Sequence, residues 1–79
     1  MIAPPDLNGI CALPSDGDWI IISSCTLNSN FSAPDDVIVK NNSVLTIPAG
    51  LTLDIDFVNN FLRIEFPSGV LIKAGGSLT

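Results

Sequence analysis

Carboxylates stand close together at three places in this 79-residue chain: Asp16-Gly17-Asp18, Asp35-Asp36 and the alternating pair Asp54 and Asp56. The last is the most suggestive chemically. Asp54 and Asp56 interleave with Leu53, Ile55 and Phe57, and a two-residue period sends the apolar side chains to one face and both carboxylates to the other. Two carboxylates on an outer face, with Arg63 or Glu65 as a neighbour, are the residue types that hydrolyse glycosidic bonds or hold calcium. The simpler reading is a strand face kept soluble by its charges. The two other acidic pairs sit among turn formers, where oxygen ligands often originate. No EF-hand loop or Gly-Asp nonapeptide repeat accompanies them, so no metal or cofactor is expected. The chain has no His and no Tyr, which leaves neutral-pH acid–base catalysis to carboxylates and three basic residues. A non-catalytic protein is the expectation.

Cys11 and Cys25 are the only cysteines, too far apart for a CxxC redox pair. A structural disulfide is expected, the alternative being two buried thiols. Closing a loop of about 15 residues contributes on the order of 3 kcal/mol, a large share for a chain too short to be secure by core packing alone. An oxidised pair, with the sequons Asn30-Phe31-Ser32 and Asn41-Asn42-Ser43, points to an extracellular or cell-surface setting. The opening Met1-Ile2-Ala3-Pro4-Pro5-Asp6 has no basic stretch followed by an apolar one, so it is not read as a signal peptide.

The chain is apolar for its size, at 47% hydrophobic and 14% charged residues, yet its apolar runs are far too short to span a membrane. The net charge of −5 repels phosphate backbones, so neither nucleic acid nor an anionic membrane is an expected partner.

The elements that position these residues are short strands. Apolar residues alternate in Leu45/Ile47, Leu51/Leu53/Ile55/Phe57, Leu62/Ile64/Phe66 and Val70/Ile72, separated by Asn41-Asn42-Ser43, Pro48-Ala49-Gly50, Asn59-Asn60, Pro67-Ser68-Gly69 and Ala74-Gly75-Gly76, all turn formers. An offset of 25 residues superposes Ile47-Pro48-Ala49-Gly50-Leu51-Thr52-Leu53 on Ile72-Lys73-Ala74-Gly75-Gly76-Ser77-Leu78, Val37–Lys40 on Leu62–Glu65, and Trp19–Ile22 on Val44–Ile47. Chemical likeness at a fixed offset is what stacked repeats require and what an antiparallel meander does not. The reading is an all-β solenoid of about three rungs. Residues 1–18 form an N-terminal cap and residues 19–79 the rungs, with internal columns Ile22/Ile47/Ile72, Ile20/Leu45/Val70 and Val39/Ile64. A small β-sandwich or barrel is the alternative.

The run Asn42-Ser43-Val44-Leu45-Thr46-Ile47-Pro48-Ala49-Gly50-Leu51-Thr52-Leu53, continuing to Gly69-Val70-Leu71-Ile72-Lys73-Ala74-Gly75-Gly76, resembles the repeats of pectin-lyase-like right-handed parallel β-helices, in particular those of large archaeal surface proteins. The resemblance covers residues 36–79. It implies a right-handed parallel β-helix and a surface location; it leaves activity open, because fibres, adhesins and carbohydrate enzymes share the pattern. Three rungs are too few for the long groove that such an enzyme needs.

In that alignment Ile20, Leu45 and Val70 point inward, so Trp19, Ile21, Val44 and Leu71 form an outward apolar stripe. Residues 1–18 folding over the stripe is the competing reading. The sequence stops in mid-repeat at Gly75-Gly76-Ser77-Leu78-Thr79, which predicts either further rungs or a homo-oligomer with Leu78 and the last rung at the contact. The expected function is that of a structural or self-association module of a fibre, adhesin or envelope protein. The alternatives are the non-catalytic start of a carbohydrate-active β-helix enzyme and a small module that binds glycans or other surface proteins.

Overall fold

A computed structural model describes residues 9–79. Among these residues nine short strands form: β1 (Trp19–Ile21), β2 (Cys25–Thr26), β3 (Phe31–Ser32), β4 (Val37–Val39), β5 (Val44–Ile47), β6 (Thr52–Asp54), β7 (Leu62–Ile64), β8 (Gly69–Ile72) and β9 (Ser77–Leu78). Among the described residues there is no helix, hence none long and apolar enough to cross a membrane. The strands make three parallel sheets of three, in the orders β1-β4-β7, β2-β5-β8 and β3-β6-β9. The chain therefore returns to each sheet at every third strand and passes through the three sheets in three circuits. Asn41 and Asn42, at φ 64° and 57°, turn the corner between β4 and β5 in the left-handed region that Asn tolerates better than most residues.

The apolar alternation sends one set of side chains from all three sheets into a single core. Its columns run Trp19–Val37–Leu62 and Ile21–Val39–Ile64 in the first sheet, Cys25–Leu45–Val70 in the second and Phe31–Leu53–Leu78 in the third. Leu27, whose N–H donates to the Thr46 carbonyl at 3.0 Å, extends the second sheet's register and stands beside Ile47, which pairs with Ile72. Trp19 and Phe31 meet inside the first circuit with ring centroids 5.7 Å apart, tilted by 52°, a favourable arrangement for aromatic pairs.

The columns correct the sequence reading of the first circuit. The step from the second circuit to the third is 25 residues in every sheet (37 to 62, 45 to 70, 53 to 78). From the first to the second it is 18, 20 and 22 (19 to 37, 25 to 45, 31 to 53), because the corners of the second circuit are longer by two or three residues each. Trp19–Ile21 thus pairs with Val37–Val39 and not with β5. That change of partner shifts the strand's phase by one residue, and a one-residue shift exchanges faces. Trp19 and Ile21 are buried, at 5% and 3% exposure, while Ile20 and Ile22 face outward at 51% and 59%. Cys25 and Leu27 take the inward places expected of Ile20 and Ile22. Phe57 and Phe66, expected to continue the inward alternation, lie in corners beyond the strand ends and are exposed.

Side chains at the corners tie one circuit to the next. Ser24 Oγ accepts from the Val44 N–H, Asn30 Oδ1 from Thr52, Asp36 Oδ1 from Phe61 and Ser68 Oγ from Ser43, at 2.9–3.0 Å. Asn41 Nδ2 donates to the Ile22 carbonyl at 2.9 Å, and the Thr52 and Ser77 hydroxyls meet at 2.8 Å. Both sequon asparagines, Asn30 and Asn41, are therefore engaged in circuit-to-circuit bonds. At the last of these corners the backbones nearly touch: a Cβ on Gly76 would lie 2.7 Å from the carbonyl oxygens of Ile47 and Pro48, so only glycine fits there.

The two ends and the candidate association surface

The front of the molecule is closed on its second sheet. Ile10 makes a parallel bridge to Thr26, the Thr26 N–H donates to the Gly9 carbonyl, and the Cys11 N–H donates back to the Thr26 carbonyl at 3.0 Å. The Cys11–Cys25 disulfide joins this segment to β2 with the Cα atoms 4.9 Å apart, which is the expected pairing. An open apolar groove of about 140 Å³ lies beside it, between Cys11, Ala12 and β1. The expected covering of the first rung by the N-terminal segment falls partly on residues 1–8, outside the described residues.

The opposite end is open. Ile64 and Ile72 are 44% and 43% exposed, although the residues that precede them in their columns, Val39 and Ile47, are at 0%. Leu62, Val70 and Leu78 are only half-buried. The backbone edge is open as well. The N–H groups of Glu65, Gly69, Lys73, Ser77 and Thr79 all donate back to the preceding circuit. Successive residues of a strand direct their backbone groups to opposite sides, so Ile64, Val70, Ile72 and Leu78 aim theirs away from the molecule. Among the described residues these four present a half-covered core and unpaired donors and acceptors, the combination that makes a sheet edge a template for another strand.

Of the stripe expected to mark an interface, Val44 and Leu71 do face outward and are exposed. Trp19 and Ile21 do not, for the reason of register given above, and their outward neighbours are Ile20 and Ile38. Leu78 lies at the open end.

The acidic residues divide differently from their order in sequence. Asp54 is exposed at the end of β6, whereas Asp56 begins the following turn and uses both carboxylate oxygens within it. One accepts the Val58 N–H at 3.1 Å and the other the Asn59 side-chain amide at 2.8 Å. These bonds favour the ionised form, the Asn59 amide most and the Val58 N–H next, and hold the Asp56 carboxyl below its ordinary range. Arg63 pairs with Glu65 at 3.5 Å on an exposed face, where an ion pair contributes little.

The fold brings together a set the sequence reading kept apart: ligand-capable oxygens of Asp18, Asp35 and Asp36 lie within 4.8 Å of one another. Two of these oxygens are engaged, the first being Asp35 Oδ1, which accepts the Asp36 N–H at 2.9 Å and, with the Asn60 amide turned to donate, Asn60 at 2.9 Å. Asp36 Oδ1 holds the Phe61 N–H. Asp35 and Asp36 thus link one corner to the next. A sequence signal for the grouping existed, because Asp18-Trp19-Ile20-Ile21 matches Asp36-Val37-Ile38-Val39 at the true offset of 18. Comparison with family models, curated proteins and solved structures finds no match to this chain.

Proposed function

We propose that the three circuits wind as a short parallel β-solenoid serving as a non-catalytic structural module of an extracellular surface protein, and that it acts by shape and by association through its open end. The observation that carries this reading is the exposure of Ile64 and Ile72 in columns whose earlier members are fully buried. An apolar layer with free backbone groups along it is stabilised by any matching strand layer that covers it. The disulfide supports an oxidising compartment. Sedimentation velocity across the micromolar range is the test. A concentration-dependent shift to a larger species is expected, and a folded monomer at every concentration would remove self-association from the proposal.

A glycan-binding role is favoured by a separate observation. Phe61 and Phe66 are exposed at either end of β7, with the Arg63 guanidinium 5.9 Å from the Phe61 ring centroid, and exposed aromatic faces beside charged groups suit sugar stacking. Oligosaccharide titration followed by NMR distinguishes the two readings, since shifts centred on Phe61 and Phe66 are expected only for a glycan binder.

A further inference from the structure

The two acceptor sequences for N-linked sugar, Asn30-Phe31-Ser32 and Asn41-Asn42-Ser43, are equivalent as motifs, and the fold treats them oppositely. Transfer needs two groups at once: the asparagine Nδ2 as the attacking atom and the hydroxyl two residues on for recognition. Around Asn30 both are presented. Phe31 turns inward in the third sheet's column, so the two-residue period places Asn30 and Ser32 together on the outer face, where both are exposed. The Thr52 N–H fixes the carbonyl end of the Asn30 amide as the acceptor, and Nδ2 is then the end with no hydrogen bond among the described residues. β3 is also a two-residue strand at the edge of its sheet, so it can lift locally into an enzyme's cleft while the other two circuits stay folded.

Around Asn41 neither group is available. Asn41 and Asn42 lie in the left-handed region, at φ 64° and 57°, and the corner they make turns Ser43 inward to 1% exposure. The hydroxyl of this second motif is therefore in the core. Its amide nitrogen is committed too, because Asn41 Nδ2 donates to the Ile22 carbonyl at 2.9 Å and a sugar would replace a hydrogen on that nitrogen.

The surroundings of the two motifs point the same way by a separate observation. The outward strand positions of the third sheet are Ser32, Thr52, Asp54 and Ser77, every one of them polar. The first sheet turns Ile20 and Ile38 outward, and the second Val44 and Leu71. A sugar chain lying along the third sheet therefore covers no apolar strand residue and meets hydroxyls and a carboxylate that can bond its own hydroxyls.

We propose that Asn30 is an N-glycosylation site of the folded protein and that Asn41 is not. In the transfer, Asn30 Nδ2 attacks the anomeric carbon of an oligosaccharide carried on a lipid diphosphate. A C–N bond forms and the C–O bond to the diphosphate breaks; the lipid diphosphate leaves with the bonding electrons, and one amide proton passes to a base of the transferase. The product is a secondary amide with its carbonyl intact, so the bond from Thr52 to Asn30 Oδ1 survives the modification. The site goes beyond the association reading and shares with it only the extracellular setting.

The test incubates the folded, disulfide-bonded chain with a single-subunit oligosaccharyltransferase and a lipid diphosphate-linked oligosaccharide, read by intact mass and peptide mapping. Two peptides, residues 26–36 and 37–47, show what the enzyme accepts without a fold, and both are expected to be modified. The folded chain is expected to gain one glycan, at Asn30. Ser32→Ala, which leaves the bond between Asn30 and Thr52 in place, is expected to abolish the transfer, whereas Asn41→Gln is expected to leave it unchanged. A glycan on Asn41 of the folded chain, or a folded chain that takes none, would overturn the proposal. An unreactive Asn41 peptide would also overturn it, because the discrimination would then lie in the local sequence and not in the fold. Since the reaction is run on the isolated chain, its failure counts against this site and not against the extracellular setting.

Discussion

Ser43 illustrates how sharply single residues are constrained between circuits. Its N–H donates to Ser68 one circuit on, but its hydroxyl, in a residue only 1% exposed, has no hydrogen-bond partner among the described residues. A buried unsatisfied hydroxyl costs on the order of 1–3 kcal/mol. Ser43→Ala is therefore expected to raise stability by about 1 kcal/mol, read as a higher denaturant midpoint at unchanged m-value. Asp56 shows the opposite case of an exposed group with every oxygen engaged. Its carboxyl is held below the ordinary range by Asn59 and Val58, so the ionised form favours the folded turn. That contribution is fully present above the unfolded carboxyl's pKa and is lost as pH falls through the lowered folded value. Carboxyl-detected NMR titration is expected to place Asp56 below a peptide aspartate, and Asn59→Ala to return it towards the ordinary range.

At the scale of the strands, register decides which apolar residues matter. Ile47 is fully buried between Leu27 and Ile72, whereas Ile22 is exposed. Ile47→Ala is expected to cost about 2–5 kcal/mol through the cavity it leaves, and Ile22→Ala no more than about 0.5 kcal/mol; chemical denaturation of the two variants checks the ranking. The sequence suggests a different arrangement around Ile47, with Ile22 as its neighbour, and the reason is physical. The second and third circuits have corners of equal length, so Val37/Leu62, Leu45/Val70 and Leu53/Leu78 repeat at one offset and are legible. The first circuit is short by two or three residues at each corner, and Trp19-Ile20-Ile21-Ile22 is apolar at every position. It fits β4 or β5 equally well by type, and only Asp18 above Asp36 breaks the tie. Of the corner bonds of Ser24, Asn30 and Asp36, only Asp36 was legible as a turn residue, and none was legible as a link. Which backbone N–H each one meets depends on those same corner lengths.

The molecule as a whole has unlike ends: one stapled, one open. Reducing Cys11–Cys25 reopens a loop with a sequence separation of 14 and is expected to lower stability by about 3 kcal/mol, measured by calorimetry with and without reductant. The loss should fall on the front of the core, where Trp19, Phe31 and Leu27 pack, before it reaches β7–β9.

The staple also gives the fold a direction under load. If the chain is pulled from its two termini, the strands of the last circuit have neighbours on one side only and no covalent tie, so they peel first, and each circuit freed exposes the next as a new edge. Such unravelling is sequential, one strand at a time, in contrast to the shearing of a sheet whose strands all bear force together. A circuit of 25 residues lengthens the tether by roughly 80–90 Å when drawn out at about 3.3–3.6 Å per residue. The segment from Cys11 to Cys25 pays out no length at all while its bond holds. Single-molecule stretching is expected to show low-force steps from the open end and a total extension shorter than that of the reduced chain by about 14 residues' worth, ~45–50 Å; equal extensions in the two states would mean that the staple bears no load.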